Sequence, residues 1–416
     1  MLSAADEVLG EPRQADRPPP VPIGFRPVPE VEELDEAVNV EGFRLLPASG
    51  TAGWEVHPKA LLGVAWDDNP LQAVGGSAGD VQQRLALGCE LRGQGEGGWR
   101  LDLDAMLRAQ RYARTVGRDH TGGNALARLR HDGDTMRSVL EGSWERSTEA
   151  VAELPEQVDR QRFTVAARLA GDSRNASWSA GAAYSTLDYQ RASAYFDADD
   201  RDQRRIGVTG SWLATGAADS LLGVEANAGQ VDRPAGSPAN DYASATLVGR
   251  WRHAVGTRSA VDLRLGLDAR QHDADSADLA ANDDRTLLAP AASARLIWGW
   301  ETRSWLILTA STGLVDGATL ESNAARRDAL ELWGRLRLLD RLDLVSLGWY
   351  ARREDSGALT GRPVEVVYDA YLRLGLDYRL RDGLGLRTWA AWQQRDSATA
   401  GDYDRLLVAL ELVAAL

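Results

Sequence analysis

The sequence predicts an all-β protein, a transmembrane up-and-down antiparallel β-barrel of about 18 strands (16–18). Three observations lead to this prediction. Apolar residues recur at every second position from residue 54 to the C-terminus, long and short connections alternate between these runs, and Trp and Tyr cluster at the ends of the runs. The composition of the 416-residue chain does not change over that region, which favours one continuous architecture over several domains.

The alternation is plainest in segment 372–392, which reads LRLGLDYRLRDGLGLRTWAAW. Apolar and polar residues alternate on both sides of an Arg-Asp-Gly turn, and a period of two is typical of β-strands. The segment therefore predicts an antiparallel hairpin with one apolar face and one charged face. The same pattern returns along the chain, and its strand centres run from Leu62 to Leu410.

The connections predict how the strands are arranged. Long polar connections such as 67–79 and 185–203 alternate with short ones such as 93–98 and 132–134. In an up-and-down sheet every second connection lies at the same end, so one end carries long loops and the other tight turns. Outer-membrane barrels have this asymmetry, with short turns on the periplasmic side. Further long connections are predicted at 113–121, 230–241, 271–284, 315–327, 353–366 and 394–402.

The aromatic residues indicate a bilayer. A soluble sandwich or propeller shares the alternation, but it buries its large aromatics in the middle of strands. A membrane barrel places them on the apolar face at the two interfaces. The predicted interface aromatics are Trp54, Trp66, Trp99, Trp178, Trp212, Trp251, Trp298, Trp305, Trp349 and Trp392.

The N-terminal region differs from the rest. Residues 1–50 are rich in Pro and acidic residues and predict a flexible periplasmic segment, whereas residues 51–416 form the barrel. The first residues, MLSAADEVLGEPR, lack the basic start and apolar core of a signal peptide. The predicted location, the outer membrane of a Gram-negative envelope, therefore depends on the barrel pattern.

Composition excludes several classes of protein. The net charge of −14 argues against a nucleic-acid partner. The single cysteine, Cys89, allows neither an intramolecular disulfide nor a cysteine metal site. No apolar run is long enough for a membrane-spanning helix.

Segment 41–72, EGFRLLPASGTAGWEVHPKALLGVAWDDNPLQ, resembles the start of the beta-barrel porin 2 family of outer-membrane proteins, which is associated with exopolysaccharide and capsule secretion. The resemblance implies an outer-membrane barrel with a part in polysaccharide export, and it brings no catalytic residues. The segment departs from the family pattern in two ways. It has an insertion between Pro47 and Pro58, and it has Trp66 at a position where the family more often has Tyr. The matching residues are Gly42, Phe43, Leu45, Pro47, Pro58, Gly63, Trp66, Asp67, Asp68 and Asn69.

The charged face is predicted to line the lumen. Arg grips carboxylates in a bidentate manner and so suits a path for anionic saccharides or small anions, whereas Arg–acid pairs that brace the wall are the alternative. The predicted lumen residues are Arg100, Arg108, Arg128, Arg168, Arg250, Arg264, Arg295, Arg335, Arg337, Arg373, Arg387, Asp102, Asp262, Glu331 and Asp377.

The predicted loops are acidic. Asp197 and Asp199 in one loop, and Asp273 and Asp275 in another, have spacings that calcium loops use. Both loops lack the turn glycine and the distal Glu of a calcium motif, so we favour solvated acidic loops. No cofactor is expected.

Two hypotheses about function stay open, and neither is an enzyme, because the five histidines belong to no catalytic or zinc motif. The first is a passive channel, with a possible part in exopolysaccharide export. The second is a non-conducting structural barrel whose N-terminal arm binds a periplasmic partner. The expected partners are lipopolysaccharide, the barrel-assembly machinery and polysaccharide-export components.

Overall fold

The computed structural model shows one closed barrel of 18 antiparallel strands. It describes residues 54–70, 78–115, 119–133, 135–150, 157–173, 175–189, 202–216, 220–233, 241–255, 259–272, 286–301, 304–315, 322–358, 366–381, 383–397 and 402–415. The strands are β1 (Trp54–Asp67), β2 (Asp80–Gln94), β3 (Trp99–Tyr112), β4 (His120–Asp132), β5 (Met136–Ala150), β6 (Gln157–Asp172), β7 (Ala176–Tyr189), β8 (Gln203–Thr215), β9 (Ser220–Asp232), β10 (Tyr242–Ala254), β11 (Ser259–His272), β12 (Thr286–Glu301), β13 (Ser304–Val315), β14 (Ser322–Leu339), β15 (Leu342–Ala358), β16 (Val366–Arg381), β17 (Leu384–Ser397) and β18 (Tyr403–Ala415).

Each strand pairs with the next along the chain, and the sheet closes where β18 pairs with β1. The closing register runs from Lys59 opposite Ala415 to Asp67 opposite Leu407. Closure leaves no unpaired strand edge among the described strands, which a barrel needs in lipid because hydrocarbon cannot satisfy free backbone groups. The predicted fold class is confirmed.

The outer face of the barrel is apolar and exposed. In β16, Leu372, Leu374 and Leu376 are exposed, whereas Arg373 and Asp377, on the opposite face of the strand, are buried. The pattern extends around the sheet, with Leu265 at 72% exposure on β11. An exposed apolar face of this extent is stable only against lipid, so the apolar face meets the membrane and the charged face lines the interior.

The two ends of the barrel differ as predicted. Connections at one end, such as 340–341, have two to four residues, and those at the other end have five to thirteen. Strand β7 continues to Tyr189, β14 begins at Ser322 and β15 continues to Ala358, inside ranges predicted as loops. The ladder hydrogen bonds continue there beyond the apolar span, because backbone pairing does not require apolar side chains. In the described residues, no helix is long and apolar enough to cross a membrane.

Cross-strand pairs of Trp and Gly build part of the outer aromatic belt. Trp54 is paired with Gly93, and Trp178 with Gly171. A Cβ atom added at either glycine would lie 2.6 Å from the indole ring. The tryptophan thus covers the backbone of its neighbour, and only glycine leaves room for the ring.

Aspartates close several of the longer connections. The residue directly before β4, β8, β10 or β18 accepts a hydrogen bond from the backbone N–H near the end of the preceding strand. The pairs are Tyr112 N to Asp119 Oδ1, 2.7 Å, Tyr189 N to Asp202 Oδ1, 2.8 Å, Arg233 N to Asp241 Oδ1, 2.7 Å, and Ser397 N to Asp402 Oδ1, 2.9 Å. Part of the acidic character of the loops is therefore structural.

We expect Asp402→Ala to lower the free energy of unfolding by about 1 kcal/mol, because the N–H of Ser397 loses its acceptor. Asp402→Asn is the control, since the amide oxygen can still accept the bond. Urea unfolding of the barrel in lipid vesicles measures both, and equal losses would contradict the capping role. Asp241 is a less suitable position for this test. Burial raises the pKa of its carboxyl group and the hydrogen bond from the Arg233 N–H lowers it, but the charge of Asp232 raises it again, so that the pKa is raised overall.

Candidate functional site

The inner face of the barrel carries the charged residues. Paired residues in a sheet share a face, so the register places all fifteen predicted lumen residues inside. For example, Asp102 is paired with Arg128, Asp262 with Arg295, and Asp377 with Arg387. Apart from Arg295 on β12, these residues fall into a closed sector, a smaller ionic cluster and an open sector, which differ in exposure.

Two predicted interface aromatics lie on the inner face. Trp349 is 8% exposed and packs with buried neighbours, and Trp305 is paired with Arg335, an inward residue. The prediction was wrong for both. Trp349 is followed by Tyr350 and Trp305 by Leu306, so a period of two could not show which neighbour faces outward. The other eight are exposed on the outer face: Trp54, Trp66, Trp99, Trp178, Trp212, Trp251, Trp298 and Trp392.

The closing seam is held at its loop end by a buried ion pair. Arg405 Nη2 on β18 lies 2.7 Å from Asp67 Oδ2 on β1, and the Tyr112 hydroxyl donates to the same carboxylate at 3.1 Å. The exposed fractions of the two charged side chains are 8% and 0%. Sequence reasoning missed this pair because its members are 338 residues apart.

A second set of ion pairs crosses the seam nearer the short-turn end of the barrel. Glu411 on β18 accepts from Arg84 on β2 at 2.9 Å and lies 4.0 Å from Arg387 on β17. Arg387 in turn donates to Asp377 on β16 at 2.8 Å. Glu411, Arg387 and Asp377 are at most 5% exposed, so the charges depend on one another for compensation.

Aromatic residues pack over the same wall. Trp349 stacks on Tyr371, and Trp389 lies under the guanidinium groups of Arg373 at 4.2 Å and Arg84 at 5.4 Å. Trp389 and Tyr371 are both 2% exposed. Strands β14–β18 and β1 therefore carry a packed inner layer, which we call the closed sector.

A separate ionic cluster lies on β9–β11. Arg250 donates to Glu225 at 2.5 Å and also pairs with Asp262. Arg264 lies 3.1 Å from Glu225 and 3.8 Å from Asp262. Two arginines thus share two carboxylates, an arrangement that braces the wall.

Strands β3–β8 form the open sector. Several of its inward charges stay partly exposed, and the exposed fractions of their side chains are 51% for Arg100, 34% for Glu141, 27% for Asp104 and 24% for Arg128. Arg168 on β6 is also exposed. Arg160 on β6 is an exception, since it is 3% exposed and donates to Ser147. Inward arginines outnumber inward acids in this sector. The accessible space inside the barrel therefore lies beside a wall with an excess of positive charge.

Several predictions fall outside the described residues. These include the weak calcium candidates Asp197, Asp199, Asp273 and Asp275, and the whole of segment 1–50. Within the described residues, no group of three or more His, Cys, Asp or Glu side chains is placed to hold a metal ion.

Comparisons with known proteins give similarity to solved structures alone. No family model matches the chain, so the resemblance to the beta-barrel porin 2 family stays a prediction. No curated protein matches either.

Similar solved structures include proteins from two organisms, and one of them, OpdK, is described as an outer membrane protein. OpdK from Pseudomonas aeruginosa is 12% identical, with 87% of this chain and 99% of that chain covered and a TM-score of 0.46. OccK2 (OpdF) from the same organism is 15% identical, with 87% and 98% covered and a TM-score of 0.46. The siderophore receptor PiuA from Acinetobacter baumannii is 9% identical, with 89% and 82% covered and a TM-score of 0.47. Similarity at this level does not extend to a substrate.

The barrel's own surfaces define its class. The closed 18-stranded sheet, the apolar outer face, the tryptophans on that face and the charged interior are those of an outer-membrane β-barrel protein.

Proposed function

We propose that the protein is an outer-membrane channel that passes anions along the open sector of its inner wall. The observation that carries the proposal is the contrast in exposure between the two sectors. Inward charges of the closed sector, such as Glu411 and Arg387, are buried, whereas Arg100 and Arg168 of the open sector are accessible.

Elementary electrostatics supports anions as the cargo. A barrel of this strand number is wide enough to enclose water, so exposed charges there need not be desolvated. Arg130 and Arg168 form no hydrogen bond or ion pair with another described residue, which leaves their guanidinium groups free for a mobile anion. A low-dielectric wall concentrates the field of such charges.

The finer proposal is that the anion is an acidic saccharide and that the channel takes part in exopolysaccharide export. The resemblance of segment 41–72 supports it, and so does the affinity of Arg for carboxylates. Under this proposal the partners are lipopolysaccharide around the barrel, the barrel-assembly machinery during insertion, and polysaccharide-export components on the periplasmic side.

A non-conducting structural barrel is the second candidate. The packed layer of the closed sector favours it, since Trp389, Tyr371 and their arginine neighbours fill space that a wide pore would leave open. In this case segment 1–50 serves as an arm for a periplasmic partner.

Single-channel recording in a planar bilayer separates the two candidates. We expect an open pore whose reversal potential in a salt gradient shows preference for chloride over potassium. Block by an acidic polysaccharide, with no block by a neutral polymer of equal size, would support the finer proposal. A barrel that is silent both as the full chain and after deletion of residues 1–50 would contradict the channel.

A further inference from the structure

Two neighbouring rows on the inner face of strands β2–β6 differ in charge pattern. In the first row, β2 to β5 contribute Arg92, Asp102, Arg128 and Glu141, so that the signs alternate. Arg128 donates to Glu141 at 2.7 Å in this row. Alternation of this kind stabilises a wall through cross-strand pairs.

The second row lies two residues nearer the short-turn end and contains no acid. Arg100 on β3 is directly opposite Arg130 on β4, which is opposite Val139 on β5, which is opposite Arg168 on β6. We call Arg100, Arg130 and Arg168 the arginine row. Opposite residues are about 5 Å apart at Cα, and strands two apart are separated by about 10 Å.

Little within the described residues compensates this charge. Arg100 lies 3.8 Å from Asp132 with half of its side chain exposed, while Arg130 and Arg168 have no hydrogen bond or ion pair with a described residue. Like charges placed directly opposite each other destabilise a sheet. The row therefore costs stability unless an anion lies against it.

Elsewhere in the barrel, carboxylates of the protein compensate two arginines that lie opposite each other. Arg250 and Arg264 are also directly opposite each other, on β10 and β11, and Glu225 and Asp262 lie between them. Those carboxylates lie in rows next to the Arg250–Arg264 row, and they bridge the two guanidinium groups from there. The rows next to the arginine row also contain acids, but among the described residues only Asp132 reaches a member of the row, at 3.8 Å from Arg100. The groups of the arginine row are accessible from the lumen, so a soluble ligand can take the place of the missing acids.

We propose that the arginine row is a binding site for a ligand that carries two or more oxyanion groups, such as phosphates or carboxylates along one molecule. Guanidinium groups bind such groups through paired charge-assisted hydrogen bonds. Three cations spread over four strands favour a multiply charged ligand over a single small anion. The site lies near the short-turn end, which is the periplasmic mouth in the arrangement of outer-membrane barrels.

The inference deepens the proposed function, because the ligand enters the same lumen, but its test is independent of conduction. Isothermal titration of the full chain, folded in detergent, measures binding of tripolyphosphate and of orthophosphate. We expect tripolyphosphate to bind more tightly, and the double variant Arg130→Gln, Arg168→Gln to weaken its binding by about tenfold or more. Raising the salt concentration should weaken binding to the unchanged protein.

The matched control is Arg146→Gln, which removes an arginine from the outer face, where it pairs with Asp159 at 3.1 Å. Tripolyphosphate affinity should not change in this variant. Equal affinity in the control and the double variant, or no preference for tripolyphosphate, would overturn the site. A barrel that binds tripolyphosphate but does not conduct would support the binding site and contradict the channel. A barrel that conducts but does not bind tripolyphosphate would support the channel and contradict the binding site.

Discussion

Replacing Glu411 with Ala is expected to lower the free energy of unfolding by about 3–5 kcal/mol, because it removes the buried carboxylate that lies between two arginines. Glu411 has no exposed side-chain surface, and it lies between Arg84 and Arg387 where the last strand meets the first two. A Cβ atom added at Gly63, on the opposing strand, would lie 2.7 Å from Glu411 Cγ, so the wall closely encloses the side chain. Urea unfolding in lipid vesicles gives the free energy.

The control is a second carboxylate that also pairs with arginine. Asp340 lies 2.6 Å from Arg337 at a short turn, but its side chain is 95% exposed. Exposed pairs contribute about 0–1 kcal/mol, so Asp340→Ala should have a small effect. Equal losses in the two variants would show that burial at the seam contributes nothing. A variant with Glu411→Gln, which keeps the shape and removes the charge, separates charge from packing.

The sequence predicted the barrel because its signals are local. A period of two, the length of a connection and the place of a tryptophan can all be read within about 15 residues, and they gave strand number, inner face and loop asymmetry. The errors at Trp305 and Trp349 arose where apolar residues are adjacent, because such stretches lack a period.

The arrangement of the inner wall could not be predicted in the same way. The pair of Asp67 and Arg405 depends on closure between the first and last strands, and the closed sector depends on how side chains from six strands pack. The arginine row could be found only from the register, since a shift of one residue in any hairpin would place its members on different faces. The alternation in the sequence therefore predicts each inward arginine separately, but it does not show which of them lie beside a compensating carboxylate.

Reversing the charge of the arginine row is expected to change the ion preference of the channel. The double variant Arg130→Glu, Arg168→Glu replaces two accessible lumen cations with anions beside the accessible space. We expect the anion-to-cation permeability ratio to fall several-fold and to pass below one, because exposed charges in a lumen set the local ion concentration. Reversal potentials in a potassium chloride gradient measure the ratio.

The control applies the same change in net charge away from the lumen. Arg146→Glu together with Arg326→Glu alters two arginines of the outer face, each beside an aspartate. This variant should keep the permeability ratio of the unchanged protein, because bulk solution separates its charges from the ion path. If both double variants shift the ratio equally, the total charge of the barrel decides selectivity. If neither does, the ion path lies away from β4 and β6, and the open sector is not the conducting wall.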